Sequence, residues 1–245
     1  MLRASDYMKK RICLRNNYVL INSNDKNVKG LDIKTIDWLK IQENKGLLLK
    51  IDFDDMEYSE YKNILRNFFK LKRKATKEKI NVGVKEDEST NLVVGYLINY
   101  DPKNQEQLDF VHALNAIFHK TLYDMYSYIY DVVCYHLDME FITKNPCNFK
   151  EDKCASDFEM GCCYQFKKKF VVCEHMKEKT CTVKCISCKM FTCSYLKKKG
   201  FKFKPKEIFL IDTFFGPYQK YILKVSVFLP KETIIKKLLI INREI

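Results

Sequence analysis

The placement of the cysteines is the feature that most constrains this chain. Nine of its eleven cysteines fall within the 47 residues from position 147 to position 193. A chain of 245 residues buries enough apolar surface to fold without crosslinks, so the cysteines are not needed to rescue a small fold. Thiolates are strong ligands for zinc and for the iron of iron-sulfur clusters. The cysteine cluster therefore predicts a metal centre in the C-terminal hundred residues.

The spacing within the cluster indicates which residues bind the metal. Loops of two to four residues allow two sulfurs to converge on one ion, and the last four cysteines of the cluster have nearly this spacing. Adjacent Cys162 and Cys163 point apart in a regular strand, so one of them is a spare or bridges two metals. The predicted metal ligands are Cys147, Cys154, Cys162, Cys163, Cys173, His175, Cys181, Cys185, Cys188 and Cys193. Zinc and an iron-sulfur cluster both accept four thiolates, so both cofactors stay open.

Two known patterns resemble this cluster. Cys181-x3-Cys185-x2-Cys188 resembles the three-cysteine motif of radical S-adenosylmethionine enzymes over eight residues. That family usually has an aromatic residue where this chain has Ser187, so we interpret the match as coincidental. The broader pattern, a cysteine pair followed by closely spaced cysteines, is similar to that of uncharacterised bacterial cysteine-cluster proteins. That resemblance implies zinc or iron-sulfur binding, and it implies no particular reaction.

The charge of the chain is concentrated in the same region. Residues 1–143 carry a net charge of +1, whereas residues 144–245 carry +12. Basic runs beside the cysteines are interspersed with aromatic residues, and lysines neutralise phosphates while aromatic rings stack on unpaired bases. The sequence therefore predicts a nucleic acid, or a nucleic-acid-bound protein, as the partner. The predicted contact residues are Lys167, Lys168, Lys169, Lys197, Lys198, Lys199, Lys202 and Lys204.

The pattern of apolar residues predicts three segments. Residues 1–103 alternate short apolar runs with helical patterns, which predicts an α+β or α/β fold with a small N-terminal mixed sheet. Residues 104–144 contain no Gly or Pro and repeat apolar positions at 3,4 spacing, which predicts a long helical spine or a helix pair. Residues 145–245 are predicted to form a cysteine-rich metal-binding lobe. Short helices opening at Pro205, Pro217 and Pro230 close it.

These features favour one function and leave two alternatives. The first fifteen residues lack a signal-peptide pattern and no long uncharged apolar stretch follows, so we expect a cytoplasmic protein without a membrane partner. The favoured function is a metal-stabilised basic binding module acting on nucleic acid or a nucleic-acid-bound protein, as in a regulator or mobile-element factor. One alternative is an iron-sulfur redox protein or enzyme that uses Cys181, Cys185 and Cys188. The other is a protein-protein inhibitor or scaffold, and whether the chain is an enzyme stays open.

Overall fold

The structure of the protein is a computed structural model. It describes residues 18–22, 46–51, 58–77, 81–82, 93–98, 102–119, 121–146, 148, 176–177, 180–181 and 185–243. Side chains are described only in part of these ranges, mainly within residues 58–73, 102–146 and 185–241. The chain divides into two compact units, residues 1–120 and residues 121–245. The predicted division into three segments follows composition and is not tested by these units, so it stays a prediction.

In the first unit the described residues form four strands and two helices. The strands are β1 (Tyr18–Asn22), β2 (Gly46–Ile51), β3 (Asn81–Val82) and β4 (Val93–Ile98), and they pair in the order β1-β2-β4-β3. The helices are α1 (Tyr58–Lys77) and α2 (Gln105–Phe118). Each described pairing among these four strands is parallel. The runs YVLIN, GLLLKI and VVGYLI are nearly continuous apolar segments, as is typical of parallel strands.

The predicted fold class is wrong in its small N-terminal mixed sheet. Strands β1, β2, β3 and β4 pair only in parallel, and the part of the chain whose side chains are described is 75% helical and contains no strand. The physical reason is that strand direction follows from how the chain crosses over between strands. The connection from β1 to β2 covers residues 23–45, and this length is sufficient for the crossover that parallel neighbours need. Local periodicity contains no information on that path.

Helices α1 and α2 pack together inside the first unit. Tyr61, Ile64 and Leu65 of α1 are buried at the spacing expected for one face of a helix. The ring of Tyr61 lies 4.6 Å from the ring of Phe110 on α2, measured between centroids. At the start of α2, the side chain of Asn104 accepts a hydrogen bond from the Gln107 N–H at 2.9 Å, which caps the helix.

The second unit begins with its longest helix, α3 (Leu122–Lys144). Thr121 caps its start, because the Thr121 hydroxyl oxygen accepts from the Asp124 N–H at 3.0 Å. Asn145 ends it in the left-handed conformation at φ 37°. The 104–144 segment therefore contains two helices that are separated at residues 119–121. The buried face of α3 consists of Met125, Tyr126, Ile129, Tyr130, Val133, Cys134 and Leu137.

The other elements described in the second unit are short. Strands β5 (Met176–Lys177) and β6 (Thr180–Cys181) form an antiparallel pair. The helices are α4 (Ile186–Lys189), α5 (Ser194–Lys198), a 3₁₀ turn (Pro205–Glu207), α6 (Phe209–Phe214), α7 (Pro217–Val225) and α8 (Lys231–Arg243). The 3₁₀ turn and α7 start at a proline and α8 follows one, because the fixed φ of proline suits a first helical position. No helix in the described ranges is long and apolar enough to cross a lipid bilayer.

One buried amide joins three helices of the second unit. The Gln219 side chain of α7 donates to the Tyr126 hydroxyl of α3 at 3.0 Å and to the Leu238 carbonyl of α8 at 3.0 Å. Its oxygen accepts from the Gly216 N–H at 3.0 Å. A buried amide needs such partners, because an unpaired polar group in the core is costly. Gln219 therefore fixes α7 against α3, while the far end of α7 leads into the turn at residues 226–228.

Candidate metal centre

The structure brings Cys185 and Cys188 together at helix α4. Cys185 immediately precedes the helix and Cys188 lies within it, so the two residues are separated by almost one turn. The Lys189 N–H donates to the Cys185 carbonyl at 3.0 Å, which closes that turn. The Cys188 thiol donates a hydrogen bond to the Cys185 sulfur. Cys185 is fully buried and Cys188 is partly exposed.

Three backbone N–H groups are directed at this pair of sulfurs. The N–H groups of Ser187 and Cys188 donate to the sulfur of Cys185, because the chain turns tightly around that side chain. The third comes from the turn after α7, where the Phe228 N–H donates to the Cys188 sulfur at 3.4 Å and also to Cys185. Amide dipoles pointing at a sulfur stabilise its negatively charged form. Two stretches of chain thus form one environment suited to thiolates.

These hydrogen bonds lower the pKa of Cys185 to about 6. The largest cause is the hydrogen bond from Cys188, and the backbone N–H groups add to it, while burial acts in the opposite direction. As a thiol, Cys185 donates to the Ser226 carbonyl at 3.4 Å. At neutral pH the lowered pKa favours the thiolate, which is the form that binds metals. Cys185 therefore differs from an ordinary buried cysteine, which behaves as a small apolar side chain.

Helix α3 forms the other side of the centre. The Tyr130 hydroxyl accepts a hydrogen bond from the Ile186 N–H at 3.0 Å, at the start of α4. Burial raises the pKa of Tyr130 far above its ordinary value, so its hydroxyl stays protonated. Cys134 lies beside Tyr130 and Cys185, and burial raises the pKa of its thiol to about 12. Cys134 is consequently a neutral thiol at pH 7, in contrast to Cys185.

A buried ion pair attaches α4 to α3. The Lys189 side chain is only 3% exposed and its ammonium group pairs with the carboxylate of Asp138, which is 29% exposed. In addition, the Ser187 hydroxyl donates to the Leu223 carbonyl at 2.5 Å, which attaches α4 to α7. A helix of four residues is unstable alone, so these contacts determine its position. Lys189 is therefore a structural cation and is not part of the exposed basic surface.

The other predicted ligands are placed only in part. Cys193 is buried just before α5, where its carbonyl accepts the Lys197 N–H at 3.0 Å. Among the described side chains no three His, Cys, Asp or Glu residues form a group that could hold a metal ion, so Cys193 does not join the pair as a third ligand there. Cys181 lies in β6 but its side chain is outside the described part. The remaining predicted ligands, Cys147, Cys154, Cys162, Cys163, Cys173 and His175, also lie outside it.

The predicted basic contacts are also only partly within the described residues. Lys197, Lys198, Lys199 and Lys202 are exposed, and together they are called the basic surface below. Lys204 is partly exposed and forms an ion pair with Glu207. Lys167, Lys168 and Lys169 lie outside the described part of the chain. Gly200, in the left-handed conformation at φ 77°, ends the turn that presents three of these lysines.

Aromatic residues near the basic surface have two different environments. Phe201 and Phe203 pack on Phe141 of α3, with ring centroids 5.5 and 5.4 Å away, so they anchor the segment. Phe191, in contrast, is 49% exposed, and the Lys197 ammonium lies 6.0 Å from its ring centroid. A lysine over an aromatic ring is a weak stabilising contact at an exposed site. Phe191 was not predicted as a contact residue, because aromatic residues in sequence do not reveal their exposure.

Residues that complete the sulfur environment were also missed from sequence. Phe228 contributes through its backbone and lies forty residues from Cys188, so no motif connects them. Tyr130 and Cys134 belong to the apolar stripe of α3, where the periodic signal indicates core packing only. Comparison of the chain with known protein families, with curated proteins and with solved structures finds no match. The similarity to bacterial cysteine-cluster proteins therefore stays a prediction.

Proposed function

We propose that the protein is a metal-stabilised binding module for nucleic acid, in which Cys185 and Cys188 are two ligands of a structural zinc ion. The observation that carries the proposal is the convergence of the Ser187, Cys188 and Phe228 N–H groups on two sulfurs. Hydrogen bonds to ligand sulfurs orient them and tune their charge, as partners outside the coordination sphere do in metal sites. The other two ligands would come from the predicted ligands whose side chains lie outside the described part, namely Cys147, Cys154, Cys162, Cys163, Cys173, His175 and Cys181. We place the protein in the cytoplasm, where thiols are kept reduced.

A structural role for the metal fits the small size of α4. Four helical residues cannot hold their own conformation, and the sulfurs of Cys185 and Cys188 lie between α4 and the turn at residues 226–228. A metal ion that binds both sulfurs would couple its binding free energy to the folding of these segments. The segment that follows Cys193 forms α5 and presents the basic surface. The metal thus stabilises the base from which the lysines project.

The metal is tested by measuring zinc and iron per chain together with the visible spectrum. The purified protein, prepared without oxygen, is expected to contain zinc and to be colourless. Cys185→Ala and Cys188→Ala are expected to lose zinc, whereas the matched control Cys134→Ala keeps it, because Cys134 is a neutral buried thiol. Iron with absorption near about 400 nm would instead support the iron-sulfur alternative. Metal-free protein with an unchanged fold would overturn the proposal.

Nucleic-acid binding is tested through its dependence on salt. The double variant Lys198→Ala/Lys199→Ala is expected to weaken binding and to reduce the salt slope by about 1.4–1.8, because each lysine on a phosphate contributes about 0.7 on a single strand and about 0.9 on a duplex. The matched control Lys236→Ala/Lys237→Ala removes the same charge from exposed positions on α8. It should retain nearly full affinity. Equal losses in both variants would mean that net charge alone drives binding, and would contradict a defined site.

A further inference from the structure

Two exposed phenylalanines are attached to one cysteine of the candidate metal centre. The Phe191 N–H donates to the Cys188 carbonyl at 3.1 Å, and the Phe228 N–H donates to the Cys188 sulfur at 3.4 Å. Phe191 is 49% exposed and Phe228 is 50% exposed. Both side chains therefore present large aromatic surface to solvent from backbone that the sulfur centre holds in place.

The conformation of Phe228 makes its exposure unusual. Its φ of 61° lies in the left-handed region, which is unfavourable for a bulky side chain and is far commoner for Gly or Asn. This conformation directs the N–H to the sulfurs, a task that Gly would perform without strain. Because Phe228 is 50% exposed, burial offsets only part of that cost. An aromatic ring at this position therefore suggests a role at the surface.

Phe191 lies beside the basic surface. The Lys197 ammonium is 6.0 Å from its ring centroid, and Lys197 and Lys198 form the last turn of α5. A partly exposed ring next to several lysines is the combination that binds single strands, since bases stack on the ring while lysines follow the phosphates. In a duplex the bases are already paired and stacked, so exposed rings gain little from contact with it.

We propose that the ligand of this surface is single-stranded nucleic acid, whose unpaired bases stack on Phe191 and Phe228 while the basic surface neutralises its phosphates. The inference rests on the proposed function and adds to it the class of nucleic acid and the residues that distinguish it. It follows that the basic surface alone supplies the binding common to single strands and duplexes. The two rings supply the preference for single strands.

The test compares a single strand and a duplex on the full-length protein with its metal. The probe is fluorescein-labelled oligothymidine of about 20 nucleotides, which exceeds the usual site of about 4–16 nucleotides. Its affinity is measured by fluorescence anisotropy, beside a duplex of the same length. Phe191→Leu and Phe228→Leu are each expected to lower single-strand affinity about tenfold and to leave duplex affinity unchanged. Leucine keeps apolar bulk and, at position 228, the same backbone constraint.

A matched control and a second readout separate the possible failures. Tyr218→Leu removes an exposed aromatic ring from the start of α7, far along the helix from the turn at 226–228, and should change neither affinity. Circular dichroism and zinc content verify that each variant is folded. Equal affinity of the wild-type protein for both probes, with no effect of Phe191→Leu, would overturn this inference and leave the proposed function intact. If the protein bound neither the single strand nor the duplex, the proposed function itself would be overturned.

Discussion

The backbone N–H of Phe228 donates a hydrogen bond to the sulfur of Cys188 across forty residues of chain. This bond joins the turn after α7 to the helix that carries the cysteine pair. Phe228 makes it from a left-handed φ of 61°, so backbone strain and a hydrogen bond to the sulfur occur at the same residue. Substitutions at position 228 can therefore separate the part played by the N–H group from the part played by the ring.

We expect Phe228→Gly and Phe228→Pro to differ sharply in stability and in zinc content. Glycine keeps the N–H and adopts φ 61° without strain, so the free energy of unfolding should change by less than about 1 kcal/mol and zinc should be retained. Proline removes the N–H and cannot adopt a positive φ, so it should cost about 3 kcal/mol or more and weaken metal retention. Urea denaturation and zinc analysis of both variants measure this difference. Similar behaviour of the two would show that the Phe228 hydrogen bond contributes nothing.

Because Lys189 is more deeply buried than Asp138, we expect the loss of stability to depend on which partner of this ion pair is replaced. Asp138→Asn leaves an ammonium group that is 3% exposed without its counter-charge, which should cost about 3–5 kcal/mol. Lys189→Met leaves a carboxylate that is 29% exposed and can recruit water, so the loss should be smaller, about 1–3 kcal/mol. Chemical denaturation gives both values. A larger loss for Lys189→Met than for Asp138→Asn would contradict this account of the burial.

Sequence periodicity predicts the helices better than it predicts their partners. The 3,4 spacing and the absence of Gly and Pro indicate the helices over 104–144, and prolines mark the starts of the last helices, because these signals are local. The parallel pairing within the sheet β1-β2-β4-β3 depends on the path of the chain between its strands. The prediction of a mixed sheet was therefore wrong. Short-range rules hold no information on such crossovers.

In the candidate site, too, local features could be predicted from the sequence and tertiary contacts could not. The two-residue spacing of Cys185 and Cys188 is a local signal, and the pair is found together at α4. Lys189 resembles the exposed lysines around it in sequence, yet it is buried, because its partner Asp138 lies fifty-one residues away. The low pKa of Cys185 depends in part on the Phe228 N–H, which a motif search cannot find. Contacts that depend on tertiary structure therefore do not follow from local sequence patterns.

We expect Gln219→Ala to destabilise the second unit strongly. The variant removes the buried hydrogen bonds from the Gln219 amide to the Tyr126 hydroxyl and to the Leu238 carbonyl, and the bond from the half-buried Gly216 N–H. A buried hydrogen bond lost in this way costs about 1–3 kcal/mol, so the free energy of unfolding should fall by about 2 kcal/mol or more. Thermal denaturation measures it, and Lys224→Ala on the exposed face of α7 is the control. A loss no larger than that of the control would mean that water replaces the amide at little cost.

The stability of the metal-free protein should rise with pH between about 6 and 9. The pKa of Cys185 falls from an ordinary value of 9.0 to about 6 in the folded protein, chiefly through the hydrogen bond from Cys188. The folded state then favours the thiolate, so this stabilisation is fully present above pH 9 and is lost as the pH falls through 6. Cys134 behaves in the opposite sense, because burial raises its pKa to about 12. Its contribution to the free energy of unfolding is present below pH 9 and is lost as the pH rises from 9 through 12.

The two cysteines can therefore be distinguished in one experiment. After treatment of the protein with a chelator, urea denaturation at several pH values from 6 to 9 gives the slope of stability against pH. Cys185→Ala should remove most of the slope, because alanine cannot ionise, while Cys134→Ala should keep it. Alkylation by iodoacetamide offers a parallel readout, since the thiolate is the reactive form. A slope that survives Cys185→Ala would place the titrating group elsewhere, and would remove the reason for regarding this sulfur as prepared for a metal.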